Sequence, residues 1–173
     1  MKQLTKLLKN ITTFIFDVDG VLTDGSVMML QSGDVVRRMN IKDGYALQYA
    51  VKKGYKTAII TGGRSEAVKK RFTNLGIKDI YLGVENKIDA YNEYITSNSI
   101  SPDNVLYMGD DMPDYEIMQK VGFPTCPSDA AEEIRAISKY ISNIKGGEGC
   151  VRDIVEKTLK AQGKWFDIKD FGW

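Results

Sequence analysis

A chain of 173 residues, 43% hydrophobic and 27% charged, has the balance of one globular domain rather than of a disordered or membrane-embedded chain. Its 24 basic and 23 acidic side chains nearly cancel, so the positive field that nucleic-acid binding needs is missing and no polyanionic partner is expected. Histidine is absent, which removes Ser-His-Asp and Cys-His catalysis and nearly every common zinc site; chemistry must run on carboxylates, Lys, Arg, Ser, Thr or Tyr, and any metal must be a hard cation held by oxygen.

The chain starts with lysines at 2, 6 and 9 and then an apolar run over 11–16. That run is too short for a secretory core or a membrane span and reads as a buried strand, so a cytoplasmic protein without membrane contact is expected. Short β-branched runs then alternate with stretches of helical period, the pattern of βα units around a mainly parallel, Rossmann-like doubly wound sheet. Strands are predicted over 12–17, 56–61, 79–82, 105–108, 123–126 and 139–141, and helices over 43–53, 65–75, 87–97, 113–121, 130–137 and 151–162. Gly54 and Gly76 suit helix ends, Ser65 an N-cap and Pro113 a first turn.

One segment breaks the alternation. Two short apolar runs flank Gln31-Ser32-Gly33-Asp34, which predicts a β-hairpin over about 27–38. No linker or repeat divides the chain, so a single domain over 1–173 is expected. The tail, about 163–173, carries Trp165, Phe166, Phe171 and Trp173 and should be either mobile or docked on an apolar surface such as a neighbouring subunit. Cys126 and Cys150 lie 24 positions apart with no C-x-x-C pair and read as reduced structural thiols.

The chemistry concentrates at strand ends. Asp17-Val18-Asp19-Gly20-Val21 follows the first buried strand, and carboxylates at that carboxyl edge are costly unless a cation meets them. A second acidic cluster, Gly109-Asp110-Asp111-Met112-Pro113-Asp114, follows another apolar strand, which a parallel sheet would bring to the same edge. Helix polarity accounts for Asp111 as a cap and Asp114 in a first turn, but not for Asp110, for which metal ligation is the better reading. Gathering Asp17 and Asp110 requires a cation between them, and Mg²⁺ suits oxygen ligands beside a phosphate. Thr61, before Gly62 and Gly63, offers a hydroxyl and accessible amides to a phosphate. Lys87 opens a helix, where the macrodipole disfavours a cation, and so draws suspicion of function.

Taken in order, D-x-D-G-V, apolar-apolar-T-G, an isolated Lys and G-D-D-x-x-D resemble the motifs of the haloacid dehalogenase superfamily. Over about residues 14–164 the chain resembles its capless 3-deoxy-D-manno-octulosonate 8-phosphate phosphatases, through residues 16–25, Asn40-Ile41-Lys42-Asp43-Gly44-Tyr45, residues 109–114, and Gly146-Gly147-Glu148-Gly149 with Arg152. The resemblance implies the haloacid dehalogenase fold, Asp17 as nucleophile and Asp19 as general acid and base. It also implies Mg²⁺ on Asp17, the Asp19 backbone carbonyl and Asp110, with Asp111 and Asp114 in support, and Thr61 and Lys87 on the phosphoryl oxygens. Asn40, Ile41, Lys42, Asp43 and Gly44 match a substrate-contacting segment, with Gly62, Gly63 and Arg64 beside it, and Arg71 matches an anion-contacting arginine. Relatives often read T-G-R where this chain has Thr61-Gly62-Gly63-Arg64, which leaves open whether Arg64 takes that arginine's place.

Only 43 residues separate Asp17 from Thr61 and 25 separate Thr61 from Lys87, too few for the cap domain of larger relatives. An open site needs closing, and the hairpin edges and aromatic tail offer surface for it, so a homotetramer whose subunits cover one another's sites is expected, in agreement with the resemblance. The expected activity is hydrolysis of the eight-carbon sugar-acid phosphate in lipopolysaccharide sugar biosynthesis. A nine-carbon ulosonate 9-phosphate is the alternative substrate, and a non-catalytic phosphate-binding subunit the alternative of a different class.

Overall fold

The computed structural model describes residues 2–166. Along the chain these form α1 (Lys2–Leu8), β1 (Thr13–Phe16), β2 (Met28–Met29), β3 (Val35–Val36), α2 (Ile41–Lys52), β4 (Lys56–Ile60) and α3 (Glu66–Asn74). There follow β5 (Asp79–Tyr81), α4 (Lys87–Ser97), β6 (Val105–Met108), α5 (Tyr115–Lys120), β7 (Phe123–Cys126), α6 (Glu132–Ile137), β8 (Tyr140–Ile141) and α7 (Cys150–Ala161). Six strands make one parallel sheet in the order β5-β4-β1-β6-β7-β8.

The central strands are apolar throughout because helices cover both faces of the sheet. Phe14 and Phe16 of β1 point into a core shared with Leu47 of α2, Phe72 of α3 and Ile154 of α7. Ile15, one residue out of phase, points into the opposite core with Tyr91 and Tyr94 of α4, Ile117 of α5 and Ile134 of α6. From β1 the chain winds outward through β4 to β5, then returns past β1 to begin again at β6. The carboxyl ends of β1 and β6 therefore flank the point where the winding reverses, the place at which a crevice opens in such a sheet.

Several boundaries differ from expectation for local reasons. Helix α2 starts at Ile41, because the Asn40 side chain caps it by accepting from the Lys42 amide at 2.8 Å. The stretch predicted as one helix over 113–121 opens as a 3₁₀ turn, Met112–Asp114, and only then becomes α5. Helix α1 was not expected at all; the Gln162 side chain holds its end by donating to the Leu8 and Ile11 carbonyls at 2.9 and 2.7 Å, a contact spanning the chain. The hairpin forms, but each strand is two residues long, with Met28 opposite Val36 and Met29 opposite Val35.

No cap domain interrupts the described residues: the interval between Asp17 and Thr61 holds the hairpin, α2 and β4. Trp165 docks on its own chain, 5.0 Å from the Tyr49 ring and 5.4 Å from the Arg152 guanidinium. Phe171 and Trp173 lie outside the described residues. Both cysteines are buried and free. Among the described residues no helix is long and apolar enough to cross a membrane.

Candidate active site

In the sheet register Phe16 lies beside Met108 on one side and Ile59 on the other, so β1, β4 and β6 end at one level. Asp17 continues the ladder for one more bond, its amide donating to the Met108 carbonyl at 3.1 Å, and its side chain is buried. Two glycines let the loops beyond close on one another. A Cβ on Gly20 would come 1.9 Å from Asp110 Oδ2, and one on Gly109 would come 2.4 Å from the Asp114 side chain. Gly20 also has φ +86°, where a side chain is strained. The glycine-rich loop singled out by resemblance clasps the same turn: the Gly147 amide donates to the Val21 carbonyl at 2.9 Å, and a Cβ on Gly146 would meet the Gly20 carbonyl at 1.9 Å.

Carboxylate oxygens of Asp17, Asp110 and Asp114 lie within 4.8 Å of one another. Asp114 is the best anchored of the three. Its Oδ1 accepts from the Tyr107 hydroxyl at 2.5 Å and from Lys87 Nζ at 2.7 Å, and its Oδ2 accepts from the Asp110 amide at 3.0 Å. It is fully buried, so helix polarity, the sequence-based account of it, is the lesser part of its role. Asp111 does what a cap does, accepting from the Met112 amide at 2.8 Å, and it is exposed and outside the carboxylate group.

Lys87 Nζ also lies 3.0 Å from Asp17 Oδ1 as an ion pair, and no other donor reaches that buried oxygen. One ammonium thus pairs with two of the three carboxylates. Burial opposes the Lys87 charge, but Asp114 and Asp17 override it and hold the ammonium above its ordinary value. Burial first, then the charge of Asp114, push Asp17 up to about 7 in spite of Lys87. Burial, then Asp17 and Asp114, push Asp110 up to about 8. Buried carboxylates with only Lys87 to balance them, surplus negative charge and an all-oxygen donor set fit a hard divalent ion such as Mg²⁺, which Asp17 and Asp110 would hold while Asp114 keeps to its protein partners.

Asp19 stands apart from this group. Arg37, from the end of the hairpin, grips its carboxylate at two points, Nε to Oδ1 at 2.6 Å and Nη2 to Oδ2 at 2.9 Å. Thr61 is buried at the end of β4, its Oγ1 accepting from the Gly63 amide at 3.1 Å. A Cβ on Gly63 would lie 3.4 Å from Asp19 Oδ2 and 3.5 Å from Thr61 Oγ1, so Asp19 and Thr61 flank one spot. Arg37 went unnoticed in the sequence. The signal was there: two arginines end an exposed strand, alternation sends them to opposite faces, and here the Arg37 side chain is 12% exposed against 83% for Arg38.

The remaining candidates lie on the segments that follow β4 and at the start of α2. Gly62 passes the Val84 carbonyl, with room for a Cβ at 3.6 Å. Arg64 lies over Gly83, where a Cβ would come 2.8 Å from its side chain, and Arg71 lies against Gly44, where a Cβ would meet Nη2 at 2.3 Å. Asn40 caps α2, and Ile41 and Lys42 are exposed. Asp43 turns elsewhere: buried, it accepts from the Arg152 amide at 2.6 Å and so caps α7, whose own N-cap is Gly149 and has no side chain to offer.

A family model described as haloacid dehalogenase-like hydrolase matches residues 40–127. The chain is 38% identical over 161 residues to the 3-deoxy-D-manno-octulosonate 8-phosphate phosphatase KdsC of Salmonella typhi, covering 93% of this chain and 86% of that one. Among solved structures, the phosphatase of the same name from Moraxella catarrhalis, in complex with magnesium ion, phosphate ion and a KDO molecule, superposes with a TM-score of 0.92 at 34% identity, covering 95% of each chain. That from Yersinia pestis gives 0.90 at 35% identity, covering 92% of this chain and 86% of that one. Since the family model matches half of the chain and the relatives match nearly all of it, on a capless parallel sheet whose carboxyl edge gathers Asp17, Asp110, Asp114 and Lys87, the chain belongs to the haloacid dehalogenase-like hydrolases.

Proposed function

We propose that this chain is a Mg²⁺-dependent phosphatase that hydrolyses 3-deoxy-D-manno-octulosonate 8-phosphate to the free sugar acid and phosphate. The observation that carries the reading is the buried group of Asp17, Asp110 and Asp114 with Lys87, in a chain 38% identical to an enzyme named for that reaction.

In this reading the Asp17 carboxylate, aimed from the end of β1, attacks phosphorus and becomes a phosphoaspartate. Bound Mg²⁺ supplies the positive charge that lets a carboxylate approach a phosphate dianion. Lys87 balances charge on the transferring oxygens while Asp114 keeps its ammonium in place, and the Thr61 hydroxyl and the Gly62 amide face the phosphoryl group. Asp19 gives a proton to the departing sugar oxygen, then takes one from the water that cleaves the phosphoaspartate. In the same reading Arg64, Arg71 and Lys42 offer positive charge to the substrate's carboxylate, with Asn40, Ile41 and Gly44 in the segment that contacts the sugar.

One exposed apolar surface supports a homotetramer in which neighbours close the site. Met28 and Met29 are 65% and 76% exposed, and the surface continues through Val27, Leu30, Val35 and Val36. A monomer by light scattering at full activity would contradict this. A cytoplasmic setting suits two free, buried cysteines.

The test is phosphate release from a set of sugar phosphates with and without Mg²⁺. Release should require the metal, and kcat/KM for the eight-carbon acid phosphate should exceed that for a nine-carbon ulosonate 9-phosphate; the reverse ranking would reassign the substrate. Asp17→Asn should keep the circular dichroism of the parent and show no turnover, and an active Asp17→Asn protein would end the phosphoaspartate scheme.

A further inference from the structure

Asp19 sits on a loop, beside a glycine with positive φ, and its side chain is 36% exposed. Such a carboxylate is free to rotate unless something holds both of its oxygens. Its contact within the loop is weak: Thr23 Oγ1 reaches Oδ1 only at 3.5 Å. The two-point hold comes from Arg37, eighteen residues away on the hairpin, with bonds of 2.6 and 2.9 Å. Arg37 is itself confined. It is 12% exposed and lies where a Cβ on Gly63 would approach Nη2 to 3.3 Å, so the fork cannot swing far without leaving the site.

We propose that Arg37 is a positioning residue for Asp19, fixing the plane of that carboxylate and tying it to the hairpin. The proposal rests on Asp19 being the acid and base of the reaction. Two parallel bonds use both carboxylate oxygens as acceptors, the arrangement Asp19 reaches once its proton has passed to the sugar oxygen. The fork then aims the same oxygen at water: the water oxygen bonds to phosphorus, its proton goes to Asp19, and the bond from Asp17 to phosphorus breaks. A lysine, with a point charge in place of the planar fork, holds one oxygen and leaves the plane free. The neighbouring pair, Arg38 to Asp24 at 2.9 Å, cannot substitute, because Arg38 is 83% exposed and such pairs contribute little.

The experiment measures kcat and KM for Arg37→Ala, Arg37→Lys, Asp19→Asn, the Asp19→Asn/Arg37→Ala double variant and Arg38→Ala, with circular dichroism and sedimentation on each. Arg37→Ala should lower kcat by roughly ten- to a hundredfold with KM within about twofold, as expected when a reacting group loses its alignment. Arg37→Lys should fall between it and the parent, and carries the same test should the alanine variant fold poorly. In the Asp19→Asn background the arginine substitution should cost nothing further. A rise in KM at constant kcat, an equal loss in both backgrounds, or the same loss in Arg38→Ala would overturn the assignment. Asp19→Asn at full rate would sink the acid and base reading and the proposal together, whereas a slow Asp19→Asn beside a full-rate Arg37→Ala sinks the proposal alone.

Discussion

The carboxyl edge of the sheet and the hairpin are neighbours in sequence and opposites in physics. At the edge, charge is buried: Asp17, Asp114 and Lys87 have almost no access to water, and both carboxylates share the one ammonium, with Asp110 beside them. On the hairpin, apolar surface is exposed, with Met28, Met29, Val35 and Val36 carried on strands of two residues each. The first arrangement suits a cation, and the second is the surface on which the proposed association of subunits rests. Arg37 joins them, since it starts on the hairpin and ends on Asp19.

The sharpest way to break the edge is Lys87→Ala. Removing the ammonium leaves Asp17 and Asp114 buried without their cation, which should destabilise the fold by about 3–5 kcal/mol and be visible in denaturant titration. Loss of charge balance on the transferring oxygens should lower kcat by roughly 100- to 1,000-fold in the same variant.

Asp43 sits where the hairpin rejoins the body, and pH should report on it. Burial raises it to about 6 from an ordinary 3.8, despite the amide hydrogen bond from Arg152. A carboxyl raised on folding contributes stability that is complete below about pH 4 and is lost as pH climbs through about 6, on the order of 3 kcal/mol across that window. Thermal unfolding of Asp43→Asn should show a flatter dependence over this range than the parent, and identical profiles would remove Asp43 from the account.

Gly20→Ala should act through both strain and collision. A left-handed residue with a side chain costs about 1–2 kcal/mol, and its Cβ would displace Asp110. Isothermal titration should therefore show weaker Mg²⁺ binding at a small loss of melting temperature. The smallest effect on folding is expected on the hairpin. Met28→Lys with Met29→Lys should leave the stability of the isolated subunit within about 0.5 kcal/mol, since both side chains already face water, while shifting sedimentation toward smaller species.

The sheet was legible because its strands are short, apolar and punctuated, and each pattern is local. β4, β6 and β7 fall where the periodicity placed them, within a residue. The edge was legible for a related reason: once the strands run parallel, residues that follow them end on one side, so Asp17, Asp110 and Thr61 share the carboxyl edge. Helix α1 was not legible, since Gln162 ties down its end from the far end of the chain. The contact of Asp43 with α7 was not legible either: the resemblance placed it in a substrate-contacting segment, and its acceptance from the Arg152 amide joins residues far apart in the chain.

By itself, then, the sequence determined the parallel sheet, the order of the motifs and the oxygen-only, histidine-free chemistry, because hydrophobic period and residue type are properties of neighbours along the chain. Only the tertiary structure decided that Asp114 is a buried hub between Tyr107, Lys87 and the Asp110 amide, that Arg37 holds Asp19, and that the hairpin lies exposed. Those are contacts between residues distant in sequence, whose direction and burial depend on how layers pack and cannot be read from either partner's surroundings alone.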